Sequence, residues 1–193
     1  MSRVAVEWYG EEFLARVSVA AEFALDVTAD QLRTEVITTL RDTTGIAIGK
    51  TPTGRNIFGA SLPGDPPGSR TGRLRNSIKW IKSGRLRRRV GTNLEYARIH
   101  ELGGTINHPG GTDYIVTSGG AVFISEEKGL RLRQQGYWVG RTKPHAINMP
   151  KRPYLVPTLN RMAASGKLSK VFSESFRVAM LTREQESGDA ERG

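Results

Sequence analysis

His100 and Glu101 begin a His-Glu-x-x pattern, the opening of the helical zinc site of metalloproteases, where a second histidine four residues after the first completes the metal pair. Position 104 is Gly104, so that ligand is missing and the pattern predicts no metal site. His108 and His145 stand alone and read as loop or packing histidines. No stretch reads GxxxxGK[ST], the loop that cradles nucleotide phosphates, and no GxSxG nucleophile elbow appears. Cysteine is absent, which removes thiolate metal sites, cysteine nucleophiles and disulfides together. The expectation is a non-enzymatic protein without a cofactor.

What the side chains offer instead is charge. Residues 70–98 hold ten basic side chains, Arg70, Arg73, Arg75, Lys79, Lys82, Arg85, Arg87, Arg88, Arg89 and Arg98, against the single acid Glu95. This segment carries +9 of the chain's +10, and a patch so concentrated implies an anionic partner, either nucleic acid or an acidic protein surface. The guanidinium groups of Arg85–Arg89 are spaced to meet phosphate oxygens; equally, they could form a solvated strand face paired with acids of the same chain. Trp80 and Tyr96 are the only aromatics in the segment, too few for a ladder that stacks single-stranded bases.

These residues need elements to hold them. At 193 residues and 37% apolar, the chain supports one well-buried core, read here as a single domain over 1–181. Residues 4–8 alternate weakly, as a short strand does. From Glu11 to Asp42, apolar or small residues recur in steps of three and four and predict one helix of roughly 45–50 Å. That is longer than a compact domain needs; its stripe either covers a sheet or extends onto a neighbouring subunit. Residues 45–72 are rich in Gly and Pro, eleven of 28, and read as an arm, disordered or ordered against a partner through Ile57, Phe58 and Leu62.

A helical turn through Leu74–Ile78, with Thr71 or Ser69 as its cap, leads into a basic hairpin that turns at Ser83-Gly84. In it, Leu86 and Val90 share one face and the arginines the other. Leu94–Leu102 suits a short helix ending at Gly103-Gly104. Within an excursion over 105–150, residues 112–118 and 121–125 flank Gly119-Gly120 as a second hairpin. A polar segment, Glu126–Gln135, then precedes a strand at Tyr137–Arg141. Met149-Pro150 and Arg152-Pro153 hold extended backbone before Pro157, which opens a last helix that breaks near Gly166. The polar residues 182–193 predict a disordered tail. No export signal and no run of about 18 apolar residues appears, so the expected setting is a reducing cytoplasm, without a membrane.

The succession TGRLRNSI at 71–78, VGTNLEYARIHELGGTI at 90–106 and INMPKRPYL at 147–155 resembles the head–tail joining proteins (neck or tail-completion proteins) of long-tailed bacteriophages, including the Mu-like virion morphogenesis group. Leu102 stands where an aromatic is usual there, Tyr154 where Phe is and Thr158 where Ala is, and the long glycine-rich arm is a further departure. The resemblance implies an α+β fold, a long N-terminal helix and a C-terminal helix on a small antiparallel sheet with loop and hairpin excursions. Gly72, Leu74, Tyr96, Glu101, Gly103, Gly104, Arg152, Pro153 and Pro157 carry the motif and read as fold-making residues. It also implies a structural role at the head–tail interface of the virion. There the chain would act as a homo-oligomeric ring, a homohexamer if it matches the tail. Its partners would be head-closure or connector proteins, the tail tube or tail terminator, and packaged DNA in the lumen. The basic hairpin would then face that DNA or an acidic neighbouring ring, and a conduit that must not grip DNA favours the ring. The competing expectation is a sequence-independent DNA-binding protein using 70–98.

Overall fold

A computed structural model of the chain describes residues 10–50, 53–69 and 71–190, with the backbone alone at Ile57 and at 183–190. The strand expected at 4–8 lies outside the described residues, as does Arg70. The architecture is α+β, in two compact units: residues up to Leu102 together with those from Lys151, and Gly103–Pro150.

In the first unit, α1 (Gly10–Asp42) is an unbroken helix of 33 residues, about 50 Å at 1.5 Å per residue. Glu11 and Glu12 lie at its positive end and Arg41 at its negative end. Helix α6 (Lys167–Ala190) runs antiparallel along it: Arg16 donates to the Met180 carbonyl at 3.5 Å, and Lys167 pairs with Glu35. Ala20 and Ala24 continue the four-residue stripe from Arg16 and are buried, small enough for the two backbones to approach closely. Much of the length that the sequence left to a sheet or a neighbour is therefore covered within the chain. Between α5 (Val156–Ala164) and α6, Gly166 takes φ +70°, a conformation that makes the expected break inexpensive for glycine. Helix α6 runs on to Ala190 where disorder was expected from Thr182, through residues of good helix propensity such as Arg183, Glu184 and Gln185. Residues 191–193 lie outside the described residues.

The other side of α1 carries α2 (Arg73–Ser77) and the hairpin of β3 (Lys79–Gly84) and β4 (Arg87–Gly91). Thr71 accepts the Arg73 N–H at 3.3 Å, and Gly72 enters α2 at φ +72°. Trp80 pairs with Val90, Ile81 with Arg89 and Lys82 with Arg88. The buried cluster Val36, Leu40, Ile78 and Tyr154, flanked by Leu32, Leu74, Val90 and Leu155, gathers residues from α1, this hairpin and the Arg-Pro corner into one core.

The 45–72 arm departs from the expectation of a structureless segment. It contains an antiparallel pair, β1 (Ala47–Lys50) and β2 (Asn56–Phe58), reversed through Gly54 at φ +79°. Its glycines have a packing reason: a Cβ on Gly45 would lie 1.9 Å from the Gly59 carbonyl oxygen, and one on Gly68 would lie 2.9 Å from the Gly45 nitrogen. Backbone meets backbone there, so only glycine fits. Phe58 and Leu62 remain exposed, at 43% and 55%.

The second unit pairs β5 (Gly104–His108) with β9 (His145–Met149), two strands that the sequence pattern did not distinguish. This register stacks His108 on His145 with ring centroids 5.0 Å apart, so the two do not stand alone. A three-stranded sheet follows, in the order β7 (Gly120–Ile124), β6 (Asp113–Thr117), β8 (Gly140–Arg141). The β6–β7 hairpin turns through Ser118-Gly119, one residue earlier than expected, because Gly120 already pairs with Thr117. The polar segment is a helix, α4 (Glu126–Gln134), capped by Ser125, whose Oγ accepts the Lys128 N–H at 3.4 Å. The strand expected at Tyr137–Arg141 is reduced to two residues after Gly136 turns at φ +84°.

Gly45→Ala is expected to destabilise the chain by about 1–3 kcal/mol, since the neighbour it strikes is backbone and cannot rotate away. Limited proteolysis should show earlier cutting within 45–68; unchanged protection and an unchanged urea midpoint would contradict this packing.

Candidate functional site

Two of the three motif segments, 90–106 and 147–155, meet through one carboxylate. Helix α3 (Glu95–Leu102) presents Glu101 to the start of α5, where its oxygens accept the backbone N–H groups of Tyr154 at 2.9 Å, Leu155 at 3.0 Å and Val156 at 2.9 Å. Leu155, the residue at the cap position, has no side-chain oxygen to satisfy these donors, and Pro157 brings none of its own. Glu101 is thus a cap supplied from another helix, strengthened by its charge at the positive helix end. Its neighbour His100 receives the Arg152 N–H at its carbonyl, 2.7 Å away.

The Arg152 side chain is itself buried and donates to the Ser61 carbonyl at 3.1 Å, while the Gly64 N–H donates to the Lys151 carbonyl at 2.8 Å. The arm is held at its root by the same corner. Burial, and then the Arg152 charge, push His100 below its ordinary range, which leaves the imidazole neutral. Burial raises the Tyr154 phenol to about 12, with Glu101 and Tyr96 adding to the effect. These groups have a structural chemistry, and the His-Glu pair serves it. Gly103 and Gly104 take φ +69° and +150° where the chain leaves α3, as their expected role requires.

The basic segment is divided by the strand alternation. Arg88 lies on the side of β4 that faces α1, its side chain only 4% exposed, where it pairs with Asp26 and donates to the Glu22 carbonyl at 3.1 Å. Lys82 reaches the other Asp26 oxygen at 3.2 Å, and Arg85 pairs with Glu22 at 3.4 Å and bonds to Ser18. This corrects the expectation that Leu86 and Val90 share one face with the arginines opposite. Val90 shares its face with Arg88, and Leu86 sits at the exposed tip. The partners Glu22 and Asp26 were not singled out in the sequence, although two acids one turn apart on an otherwise small and apolar helix face mark a place for cations.

Lys79, Arg87 and Arg89 are exposed on the remaining surface of the hairpin and have no acidic partner among the described residues. Ile81, 59% exposed, is paired with Arg89 on that face. Arg73 and Arg98 are also exposed, and Arg75 donates to the side chain of Asn76 at 3.4 Å. Among the described residues, no three His, Asp or Glu side chains gather as metal ligands do, and no helix is long and apolar enough to cross a membrane.

A sequence model of the HK97-gp10-like family, described as "Bacteriophage HK97-gp10, putative tail-component", matches residues 6–103. These residues carry α1, the arm, the basic hairpin and α3 and make up half the chain, which belongs to this family of phage tail components. The membership agrees with the resemblance to head–tail joining proteins and defines a structural component of the virion that works in contact with other virion proteins. No curated protein and no solved structure matches the chain.

Two outcomes test this geometry. Glu101→Ala should cost about 1.5–3 kcal/mol, the scale of losing hydrogen bonds to a charged acceptor, and should fray the start of α5 in amide hydrogen exchange; unchanged exchange at 154–156 would contradict the cap. For Asp26, burial works to raise the carboxyl, but hydrogen bonds and charge from Arg88 and Lys82 outweigh it and hold it below the ordinary 3.8. A carboxylate lowered by folding stabilises fully above its unfolded value and loses that contribution as pH falls through the folded value. Urea midpoints at neutral pH and below 3.8 should therefore fall less steeply for Asp26→Asn than for the wild type.

Proposed function

We propose that the chain is a non-enzymatic protein of the phage neck, joining the DNA-filled head to the tail or completing the tail end, and acting there as a homo-oligomeric ring, a homohexamer if it follows the tail's symmetry. Family membership as a tail component is the observation that carries this reading. Assembly in the host cytoplasm goes with it. Within the ring, the outer face of the basic hairpin meets an acidic neighbour among the head-closure, connector or tail proteins.

The division of charge supports that partner over DNA. Lys82, Arg85 and Arg88 are already engaged with Glu22 and Asp26, which leaves the strand face with Lys79, Arg87 and Arg89 around Ile81. An apolar centre with a cationic rim is the anatomy of a protein interface, whereas a phosphate backbone offers nothing to Ile81. DNA in the lumen would then pass a surface other than this one.

A stop codon early in the gene is expected to give lysates in which electron microscopy shows DNA-filled heads beside separate tails. A plasmid copy of the wild-type gene should restore particles, and a copy carrying Arg87→Glu and Arg89→Glu should not. Infectious particles without the protein would overturn the neck reading. Steep, salt-sensitive DNA binding by the purified chain, lost in the double variant, would instead support the DNA-binding alternative.

A further inference from the structure

The second unit contains a strand edge without the usual protection. Among the described residues, β7 pairs with β6 on one side only, and its sequence Gly120-Ala121-Val122-Phe123-Ile124 holds no charge, no proline and no bulge. Natural sheets blunt such edges with those devices, because unpaired N–H and C=O groups recruit another strand. The side chains are open as well: Val122 is 46% and Phe123 65% exposed, and Val116 and Trp138 are each 65% exposed. Helix α4 lies over the face of the sheet that carries Asp113, since a Cβ on Gly129 would strike the Asp113 carboxylate at 2.1 Å. Tyr114, Val116 and Phe123 belong to the opposite face.

The register says which groups point outward. The two-residue loop makes Thr117 and Gly120 a hydrogen-bonded pair, so Val122 and Ile124 also bond towards β6, and the N–H and C=O groups of Ala121 and Phe123 point away from it. An antiparallel partner must therefore bond at 121 and 123. A second β7 does so when the two strands are centred on Val122: Ala121 of each copy then faces Phe123 of the other, and Gly120 faces Ile124. Each small residue lies opposite a large one. The strand brings no charge of its own to the contact, although each whole chain carries +10.

We infer that β7 is the site at which a second copy of this chain adds, edge to edge and antiparallel, to form one continuous six-stranded sheet about a two-fold axis through Val122. Such a contact closes after two copies. It cannot build a ring and so joins copies from different rings or before a ring forms; it stands independently of the neck reading.

The absence of cysteine makes the test direct. At the axis the two Val122 residues form a non-hydrogen-bonded pair, with Cα atoms about 4.5 Å apart, within disulfide reach. Full-length Val122→Cys should oxidise to a band at twice 21.3 kDa on a non-reducing gel, at least tenfold faster than Val116→Cys, which is exposed but lies on the central strand. Adding Phe123→Lys to Val122→Cys should abolish the band. Circular dichroism of the cysteine variants serves as the check on folding. Equal rates for the two cysteines, no cross-linked band, or a band that survives Phe123→Lys would overturn the inference.

Discussion

The Glu101 carboxylate is the interaction on which the first unit depends. Helix α5, which begins at Val156 after Leu155 at the cap position, has no cap of its own, and Tyr154 just before it is part of the core. The amide donors of Tyr154 and Leu155 are partly buried, and each, left without an acceptor, would cost on the order of 1 kcal/mol. Glu101 satisfies both, and the Val156 N–H as well, from α3, which ties the 90–106 motif segment to the end of the 147–155 segment far along the chain. Arg152 extends the tie to the arm through the Ser61 carbonyl. Once these bonds form, Tyr154 is set against Val36, Leu40 and Ile78, so the polar junction also orders the apolar core.

The hairpin shows how charge can serve two ends in one element. Period-two alternation sends alternate cations to opposite sides of the strand pair. Arg88 is buried against α1 because Asp26 neutralises it and the Glu22 carbonyl and other backbone oxygens take up its remaining donors; an unpaired guanidinium could not be placed there. Arg87 and Arg89, its immediate neighbours, face outward as a direct result. The cations that fix the hairpin on α1 and those left facing solvent are thus successive residues, and a net charge summed over 70–98 overstates the free cationic surface.

Much of this was legible where the signal was local. The three-and-four spacing of α1, the short helix ending at Gly103 and the break at Gly166 all follow from periodicity or from glycine, whereas the basic hairpin turns at Arg85-Leu86 and not at the expected Ser83-Gly84, because Gly84 already pairs with Arg87. What escaped was set by distant partners. Nothing near Arg88 in the sequence points to Asp26, 62 residues away. The Gly-rich arm looked structureless because glycine is read as a flexible residue, whereas Gly45 and Gly68 are needed where backbones touch. Strands β5 and β9 are five residues each with mixed polarity, and they are strands because they pair with one another across some 40 intervening residues. Helix α4 reads only as a polar segment for a similar reason: most of its surface is solvated, so its apolar signal is weak, and Gly129 rests on Asp113 where an apolar side chain would be expected.

Asp113 shows why the second unit keeps an open face. Its side chain is fully buried and held by Arg133 at 2.7 Å, with Arg141 3.6 Å away, which joins α4 and β8 to β6. That cluster secures one side of a sheet with only three strands, and 48 residues leave little chain to cover the other. Tyr114 makes edge contacts with Phe123 and Trp138, centroids 6.4 and 5.7 Å away, which orders the aromatic side chains without burying them. A unit of this size in isolation would keep its apolar residues for its own core. Here a buried ion pair holds the covered side while Val116, Phe123 and Trp138 stay at the surface.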